Sequence, residues 1–193
     1  MSALPDLASH FRALEAILEA QPEGQNVEIA RGVYAMTPRP RFRHAVVQTN
    51  LSSALKVRFG TGTPATPPDW LFAIEPEIRS EEAFSRLIPD VAGWRRSTTG
   101  WPDGDENPVT LAPDWVAEIL SPGTEAYDRG PKREAWGLVG AGYLWIVDPV
   151  RRLVETFVNV RGKMIAGPVL LTDDVLAAPP FEGLSEPVAG IFL

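Results

Sequence analysis

The chain has 193 residues, a formal net charge of −7 and no cysteine. This length is typical of one domain with its own hydrophobic core. The absence of cysteine excludes disulfides, thiolate zinc sites and a cysteine nucleophile. Two histidines are too few for a multi-histidine centre, so any bound metal would be a hard ion held by carboxylates, such as Mg2+ or Mn2+.

The acidic balance counts against a protein that binds nucleic acid over its whole surface, although a local basic groove is compatible with it. The N-terminal residues lack the basic start and apolar run of a signal peptide. No stretch approaches the roughly 20 apolar residues that span a membrane. We therefore expect a soluble, cytoplasmic protein without a membrane partner, organised as a single domain over residues 1–193.

The first half of the chain predicts two helices and a hairpin. Apolar residues at helical spacing predict a helix over residues 6–20, ended by Pro22 and Gly24. The segment "NVEIARGVYAMT" predicts a hairpin that turns at Gly32. After a turn at residues 38–40, "RHAVVQTNLSSALKVRF" predicts the second helix. The segments "WLFAIEPEIRS" and "RLIPDVAGW" each predict one strand.

The second half predicts three strands and one helix. The strands are "DWVAEIL", "YLWIVDP" and "LVETFVNV". A helix is predicted to begin at Gly130 and Pro131, because proline is tolerated in a first helical turn, and to end at Gly140 or Gly142. The C-terminal tail is predicted to wrap the sheet. Together the elements indicate an α/β or α+β domain with a mixed central sheet.

The densest group of candidate catalytic residues lies in "LAPDWVAEILSPGTEAYDRGPKREAW", which reads as strand, loop and helix. Burial of an unpaired carboxylate costs several kcal/mol, so Glu118 in the strand needs a cation, a hydrogen-bond donor or a metal. Asp90 in "IPDVAGW" is a suitable co-ligand, since two carboxylates, a backbone carbonyl and waters form a Mg2+ site. Lys132 on the first turn of the helix can orient a water or offset phosphoryl charge. Side-chain alternation predicts two strand faces, one with Asp114, Val116, Glu118 and Leu120 and the other with Trp115, Ala117 and Ile119.

Each candidate also has a simpler interpretation. A strand glutamate near a helix lysine often forms only a salt bridge, and an aspartate after proline, as at Asp114, is typical of a turn cap. Glu75 and Glu77 alternate with apolar residues, as they would on a solvated strand face. His44, at the start of a helix, is more often a surface or capping residue than a catalytic base.

Several motifs occur along the chain in a fixed order: "VEIARGVYAMTP", His44, "IPDVAGW", "PDWVAEILSPGTEAYDRGPKREAW", "GAGYLWIVDP" and "LVETF". In this order they resemble the Uma2 family (DUF820) of the PD-(D/E)XK nuclease superfamily. The resemblance extends from about Val27 to about Phe192. It divides the chain into an N-terminal helix at residues 1–24 and a Uma2-like core at residues 27–193. It implies a restriction-endonuclease-like fold, in which helices flank a central mixed β-sheet.

The resemblance also implies roles for the candidate residues. Asp90 resembles the superfamily's first metal-binding acid and Glu118 its second, with the backbone carbonyl of Ile119 as a third ligand. The superfamily places its lysine two residues after the second acid, where this chain has Leu120. Lys132 matches a lysine that has moved to the helix.

Two further residues are expected to support this site. Glu28 matches a recurrent family acid on the first hairpin, and His44 lies at the start of the second helix. The second acid of the family hairpin is missing, since Arg31 and Val33 flank Gly32. This departure weakens any role of the hairpin in metal binding.

These observations favour a Mg2+- or Mn2+-dependent endonuclease that hydrolyses nucleic acid, DNA rather than RNA. A basic groove near Asp90 would reconcile this function with the acidic charge; the candidate residues are Arg95, Arg96, Arg129 and Arg133. The alternative is a catalytically silent interaction or assembly domain that keeps the nuclease fold and forms a homodimer. A third hypothesis is a nucleotide or another small phosphodiester as substrate, which a small closed pocket would favour.

Overall fold

The computed structural model describes residues 6–21, 27–36, 41–63 and 65–193. The predictions for Pro22, Gly24 and the turn at residues 38–40 lie outside these ranges. Within them the chain folds as an α+β structure with two sheets and flanking helices, as predicted. No helix in the described ranges is long and apolar enough to cross a membrane.

The first two predicted helices are confirmed, but helical structure before the third begins at Glu125, inside the predicted loop, and is interrupted at one place. The helices are α1 (Leu7–Glu19), α2 (Phe42–Phe59), α3 (Glu125–Tyr127) and α4 (Arg133–Val139). A π-helical segment, Asp128–Lys132, joins α3 to α4 and is kinked at Gly130. Gly140 ends α4 in the left-handed conformation that glycine favours, with φ of 99°. Lys132 is therefore the last residue of the π-helical segment, directly before α4.

Ten strands form the two sheets. They are β1 (Val27–Ala30), β2 (Val33–Met36), β3 (Trp70–Ile74), β4 (Ile78–Ser80), β5 (Ser85–Leu87), β6 (Val91–Arg95), β7 (Trp115–Ile119), β8 (Tyr143–Asp148), β9 (Leu153–Val160) and β10 (Lys163–Leu170). The larger sheet has the order β10-β9-β8-β7-β6-β3, and the smaller has the order β2-β1-β5-β4. Among the strands of the described residues, β7 and β8 alone pair in parallel, because the helical segment between them carries the chain back across the sheet. The large sheet is thus mixed, as predicted.

Two predicted strands are wrong in the same way, since each divides into two. "WLFAIEPEIRS" breaks after β3, where Glu75 adopts a positive φ of 50°. "RLIPDVAGW" breaks at Pro89, so that β5 belongs to the small sheet and β6 to the large one. The sequence pattern also does not predict β10, because Gly167 and Pro168 interrupt it. They coincide with an irregularity in the pairing of β10 with β9.

The large sheet separates two apolar layers. One layer contains Trp115, Ala117 and Ile119 of β7 with residues of α2 and the C-terminal segment. The other contains Val116 and Leu120 with residues of α4 and the small sheet. This division confirms the alternation predicted for β7. Glu118 therefore points into the layer between the large sheet, α4 and the small sheet.

Candidate active site between the two sheets

The connection between β5 and β6 places Asp90 beside Glu118. Strands β6 and β7 are antiparallel, with Val91 opposite Ala117. The next pair in that register is Asp90 and Glu118. One carboxylate oxygen of Asp90 accepts a hydrogen bond of 2.5 Å from the backbone N–H of Ile119. Asp90, directly before β6, thus lies beside Glu118 of β7, at the point where the chain passes from one sheet to the other.

The ammonium group of Lys132 lies among three oxygen atoms. Its Nζ is 2.9 Å from Oε2 of Glu118 and 2.9 Å from Oε1 of Glu28. It also donates to the backbone carbonyl of Ile88 at 2.9 Å. An ammonium has three N–H donors, so each has a partner here. The Lys132 side chain is 5% exposed and that of Glu118 is 3% exposed, so this ion pair is buried.

Glu118 and Glu28 also accept hydrogen bonds from groups on other parts of the chain. Oε1 of Glu118 accepts a hydrogen bond of 2.7 Å from the indole N–H of Trp136 on α4. Oε1 of Glu28 accepts one of 2.7 Å from the backbone N–H of Ile88. The second oxygen, Oε2 of Glu28, is buried and has no hydrogen-bond partner among the described residues. One carboxylate oxygen of Glu28 can therefore accept a further hydrogen bond inside the site.

Helix α2 supports the Asp90 side of the site. Nε2 of His44 lies 3.1 Å from Oδ1 of Asp90. One turn further along, Gln48 donates to the backbone carbonyl of Asp90 at 2.9 Å and to Glu75 at 3.1 Å. Residues four apart share a face of a helix, so one face of α2 holds Asp90 by its side chain and its backbone.

The site contains more acids than bases, and burial and the neighbouring charges together shift the pKa values of its groups. Burial raises the pKa of Glu118 well above its usual value, against the opposite effect of the Lys132 ammonium. Burial also raises the pKa of Asp128, in the π-helical segment, to about 6. For Lys132, burial lowers the pKa, but Glu118 and Glu28 outweigh it and hold the pKa well above its usual value. Lys132 is therefore a cation throughout the physiological pH range.

The donor set has the chemistry that suits a hard divalent cation. The carboxyl groups of Glu28 and Glu118 contact the one ammonium, and those of Asp90 and Asp128 act on it electrostatically, so that acids outnumber cations here. An ionised carboxylate has about four lone-pair sites, so the hydrogen bonds to Asp90 and Glu118 leave acceptor capacity on both. No group of three or more acidic or histidine side chains in the described ranges is arranged to hold a metal. Mg2+, however, is usually bound through one or two carboxylates and retains several waters.

Other candidates lie away from this site or form structural pairs. The Asp114 side chain accepts hydrogen bonds from Thr98, Thr99 and the Arg95 backbone, which is a loop-capping role. Glu77 pairs with Arg86 between strands, with atoms 2.5 Å apart, rather than facing solvent as expected.

The expected basic groove is also formed differently. Arg95 pairs with Asp69, Arg129 pairs with Glu125, Asp148 and Glu155, and Arg133 lines a cavity with Arg31, Glu134 and Lys163. Nearby acids thus offset the charge of Arg95 and Arg129. Arg133 has no acid partner among the described residues, and Arg96 lies over the ring of Trp101. The arginines that line the cavity beside Asp90 are instead Arg41 and Arg43.

Three residues that lie in the site were not predicted from the sequence to belong to it. They are Gln48, Asp128 and Trp136. Gln48 follows His44 by four residues on α2, and Asp128 and Trp136 precede and follow Lys132 by four. Helical spacing from a residue already selected is the signal that would have identified all three.

Comparison with known proteins agrees with this architecture. The sequence model of the Uma2 family, described as "Putative restriction endonuclease", matches residues 8–189. The match thus includes most of α1, which the motif resemblance beginning near Val27 leaves out. A crystal structure titled as "a putative nuclease belonging to DUF820" from Anabaena variabilis has a TM-score of 0.69, with 18% identity over 93% of this chain and 96% of that one. At this identity the similarity shows the fold alone. Among curated proteins, none matches the chain.

Proposed function

Because the chain belongs to the Uma2 family, we propose that it is a metal-dependent nuclease that hydrolyses phosphodiester bonds of nucleic acid. The observation that carries this proposal is the position of Asp90 and Glu118 at opposed register positions of β6 and β7, next to the buried Lys132. This combination supplies two carboxylates for a hard cation and one fixed positive charge. DNA is the expected substrate.

The residues have distinct roles in this proposal. Asp90 and Glu118 would hold Mg2+ or Mn2+, with the carbonyl of Ile119 as a third protein ligand. The chemistry that such an ion supplies is a water of lowered pKa and partial neutralisation of the phosphate charge. Lys132 keeps its charge, so it can orient an attacking water once one of its three hydrogen bonds is exchanged for that water. Glu28 would share the ammonium with Glu118 and fix its position.

The test compares two aspartates, Asp90 and Asp114, each of which follows a proline and precedes a strand. Purified protein is incubated with supercoiled DNA, single-stranded circular DNA and RNA, with Mg2+, Mn2+ or EDTA. We expect Asp90→Asn and Glu118→Gln to lower metal-dependent cleavage by at least about 100-fold, since metal binding contributes several kcal/mol to such reactions. Asp114→Asn, the matched control, should cleave at nearly the rate of the unmodified protein. Cleavage that survives in EDTA, or equally in Asp90→Asn, would refute the assignment.

A catalytically silent fold is the second candidate, and a specific observation favours it. Each oxygen of Glu118 already accepts a hydrogen bond, and each donor of Lys132 has a partner. A self-satisfied ion cluster of this kind can be retained in a domain that binds a partner, such as a second copy of the chain, without taking part in catalysis. Folded protein that cleaves none of the substrates and binds no Mn2+ would establish this candidate instead.

A further inference from the structure

A cavity of about 350 Å³ opens beside His44, the residue that contacts the candidate metal-binding acid Asp90. His44 forms part of its wall and separates it from Asp90, whose Oδ1 is 3.1 Å from the histidine Nε2. The turns that follow the parallel strands β7 and β8 form another part, including Ser121 and Val150. Ligands of α/β sheets commonly bind outside the carboxyl ends of parallel strands. The cavity is therefore placed to receive a group adjacent to the reacting phosphate.

The part of the cavity wall at the start of α2 is cationic. Arg41 and Arg43 line the cavity at the start of α2, where the helix dipole adds partial positive charge. Neither forms an ion pair with an acid in the described part of the chain. By contrast, Arg79, Arg86, Arg95, Arg129 and Arg151 are all paired there. On a chain of net charge −7, two arginines at one cavity form a local site for an anion.

Two further features point to a ligand rather than to bulk solvent. His44 is more than nine-tenths buried, with 7% of its surface exposed, and its Nδ1 has no hydrogen-bond partner among the described residues. An unpartnered buried nitrogen in the wall of a cavity is suited to an oxygen of a bound molecule. Between the two arginines, Phe42 is 79% exposed. An exposed aromatic ring flanked by cations is typical of surfaces on which nucleic-acid bases stack.

We infer that this cavity binds a phosphodiester of the nucleic-acid strand, next to the one that is cut, with Arg41 and Arg43 as its cationic ligands. The inference rests on the proposed function and adds the direction from which the strand approaches. The nucleic-acid strand would run past the start of α2 toward Asp90. The inference also explains how an acidic protein can bind a polyanion, since the charge that matters is local.

Binding without cleavage tests this inference. The anisotropy of a labelled oligonucleotide, single-stranded or duplex, is measured in EDTA over a range of salt concentrations. The double variant Arg41→Gln/Arg43→Gln is compared with Lys56→Gln/Arg58→Gln. The second pair lies on the same helix at its opposite end and removes the same charge, so general electrostatics change equally. Far-UV circular dichroism checks the fold of both.

We expect the Arg41/Arg43 double variant to lose at least about tenfold in affinity at low salt. The slope of log affinity against log salt should become shallower by between about 1 and 2 units, since each phosphate contact contributes about 0.7 to 0.9. The Lys56/Arg58 variant should stay within about twofold of the unmodified protein. Phe42→Ala should weaken single-strand binding without changing the salt slope.

Three oligonucleotide-binding results would overturn the inference: equal losses in both double variants, no loss in the Arg41/Arg43 variant, or no binding by the unmodified protein. Binding of inorganic phosphate alone, followed by 31P NMR, would make the ligand a free anion and would also overturn it. Failure of the proposed function has a different signature. In that case the Arg41/Arg43 variant shows the selective loss of binding, yet the unmodified protein cleaves no substrate with any metal.

Discussion

The buried charges of the site do not balance, because acidic groups outnumber the one ammonium. The ammonium of Lys132 pairs with two carboxylates, while Asp128 adds a further acid nearby. Buried ion clusters of this kind contribute little net stability, but removal of one partner leaves an unbalanced charge and is costly. Carboxylates beyond the number that Lys132 can balance are retained at a cost in stability. Such a cost is typical of functional sites.

Asp128 gives a pH-dependent prediction. Its pKa in the folded protein is about 6, above the value of about 3.9 for an unfolded chain. A raised carboxyl pKa costs no stability below the unfolded value; the cost grows as pH rises through this interval and is complete above about pH 6. Asp128→Asn should therefore raise the free energy of unfolding at pH 7.5 by up to about 3 kcal/mol. The gain should disappear toward pH 4.

Urea unfolding in EDTA at several pH values measures this effect. Asp173→Asn is the control, because Asp173 is an exposed aspartate remote in sequence from the site. It should change the free energy of unfolding little at any pH. A gain for Asp128→Asn that is the same at pH 4.5 and 7.5 would show that charge burial is not its cause.

At the scale of the elements, the helical segment after β7 delivers one stripe of residues to the site. Asp128, Lys132 and Trp136 follow each other at intervals of four and are all buried. The kink at Gly130 lies within this stripe, between α3 and α4. The position of α4 against the sheet therefore determines where the ammonium and the indole N–H lie relative to Glu118.

Gly137 fixes α4 at a close approach to the turn between β9 and β10. A Cβ at this position would lie 2.5 Å from the carbonyl oxygen of Gly162, whereas one at Gly190 would meet nothing within 4 Å. Replacement of glycine by alanine inside a helix normally stabilises it by about 1 kcal/mol. Here we expect Gly137→Ala to lower the free energy of unfolding by about 1–3 kcal/mol, because the contact must be relieved by movement.

Urea unfolding compares Gly137→Ala with Gly190→Ala, which should change stability by less than about 1 kcal/mol. Since α4 carries Trp136, the displaced helix should also reduce cleavage. A Gly137→Ala protein as stable as the original would mean that α4 has room to shift, and that its packing does not position the site.

At the scale of the whole molecule, a metal held between β6 and β7 should stabilise the fold. A ligand that binds only the folded state stabilises it by about 2.7 kcal/mol at 100 times its dissociation constant. For a chain of this size, 1 kcal/mol corresponds to a shift in Tm of about 2–4 °C. We expect saturating Mn2+ to raise the Tm of the unmodified protein and of Asp114→Asn by about 5–10 °C. Differential scanning calorimetry measures this shift, and Asp90→Asn should lose it.

An equal shift in Asp90→Asn would place the bound ion elsewhere. No shift in any of the three proteins would favour the silent domain over the nuclease. This measurement is independent of the substrate, so it separates the metal site from the choice between DNA and RNA.

The sequence by itself determined those features that depend on local direction. Alternation assigned Glu118 to one face of β7, together with Val116 and Leu120. The motif order identified the family, which the match over residues 8–189 confirms. A periodic pattern encodes which way each side chain points, because strands repeat every two residues and helices every 3.6. Together with the cost of burying a carboxylate and the family resemblance, that information selected Asp90, Glu118 and Lys132 as candidates.

Only the tertiary structure decided which distant elements meet. The division of "RLIPDVAGW" between two sheets brings Glu28 to Lys132, since β5 pairs with β1 and β6 with β7. The tertiary structure also decided which arginines are paired with acids and which arginines line the cavity beside Asp90. Strand pairing and ion pairing join residues far apart in the chain, and their partners depend on the packed arrangement of all the elements. Local periodicity carries no information about that choice.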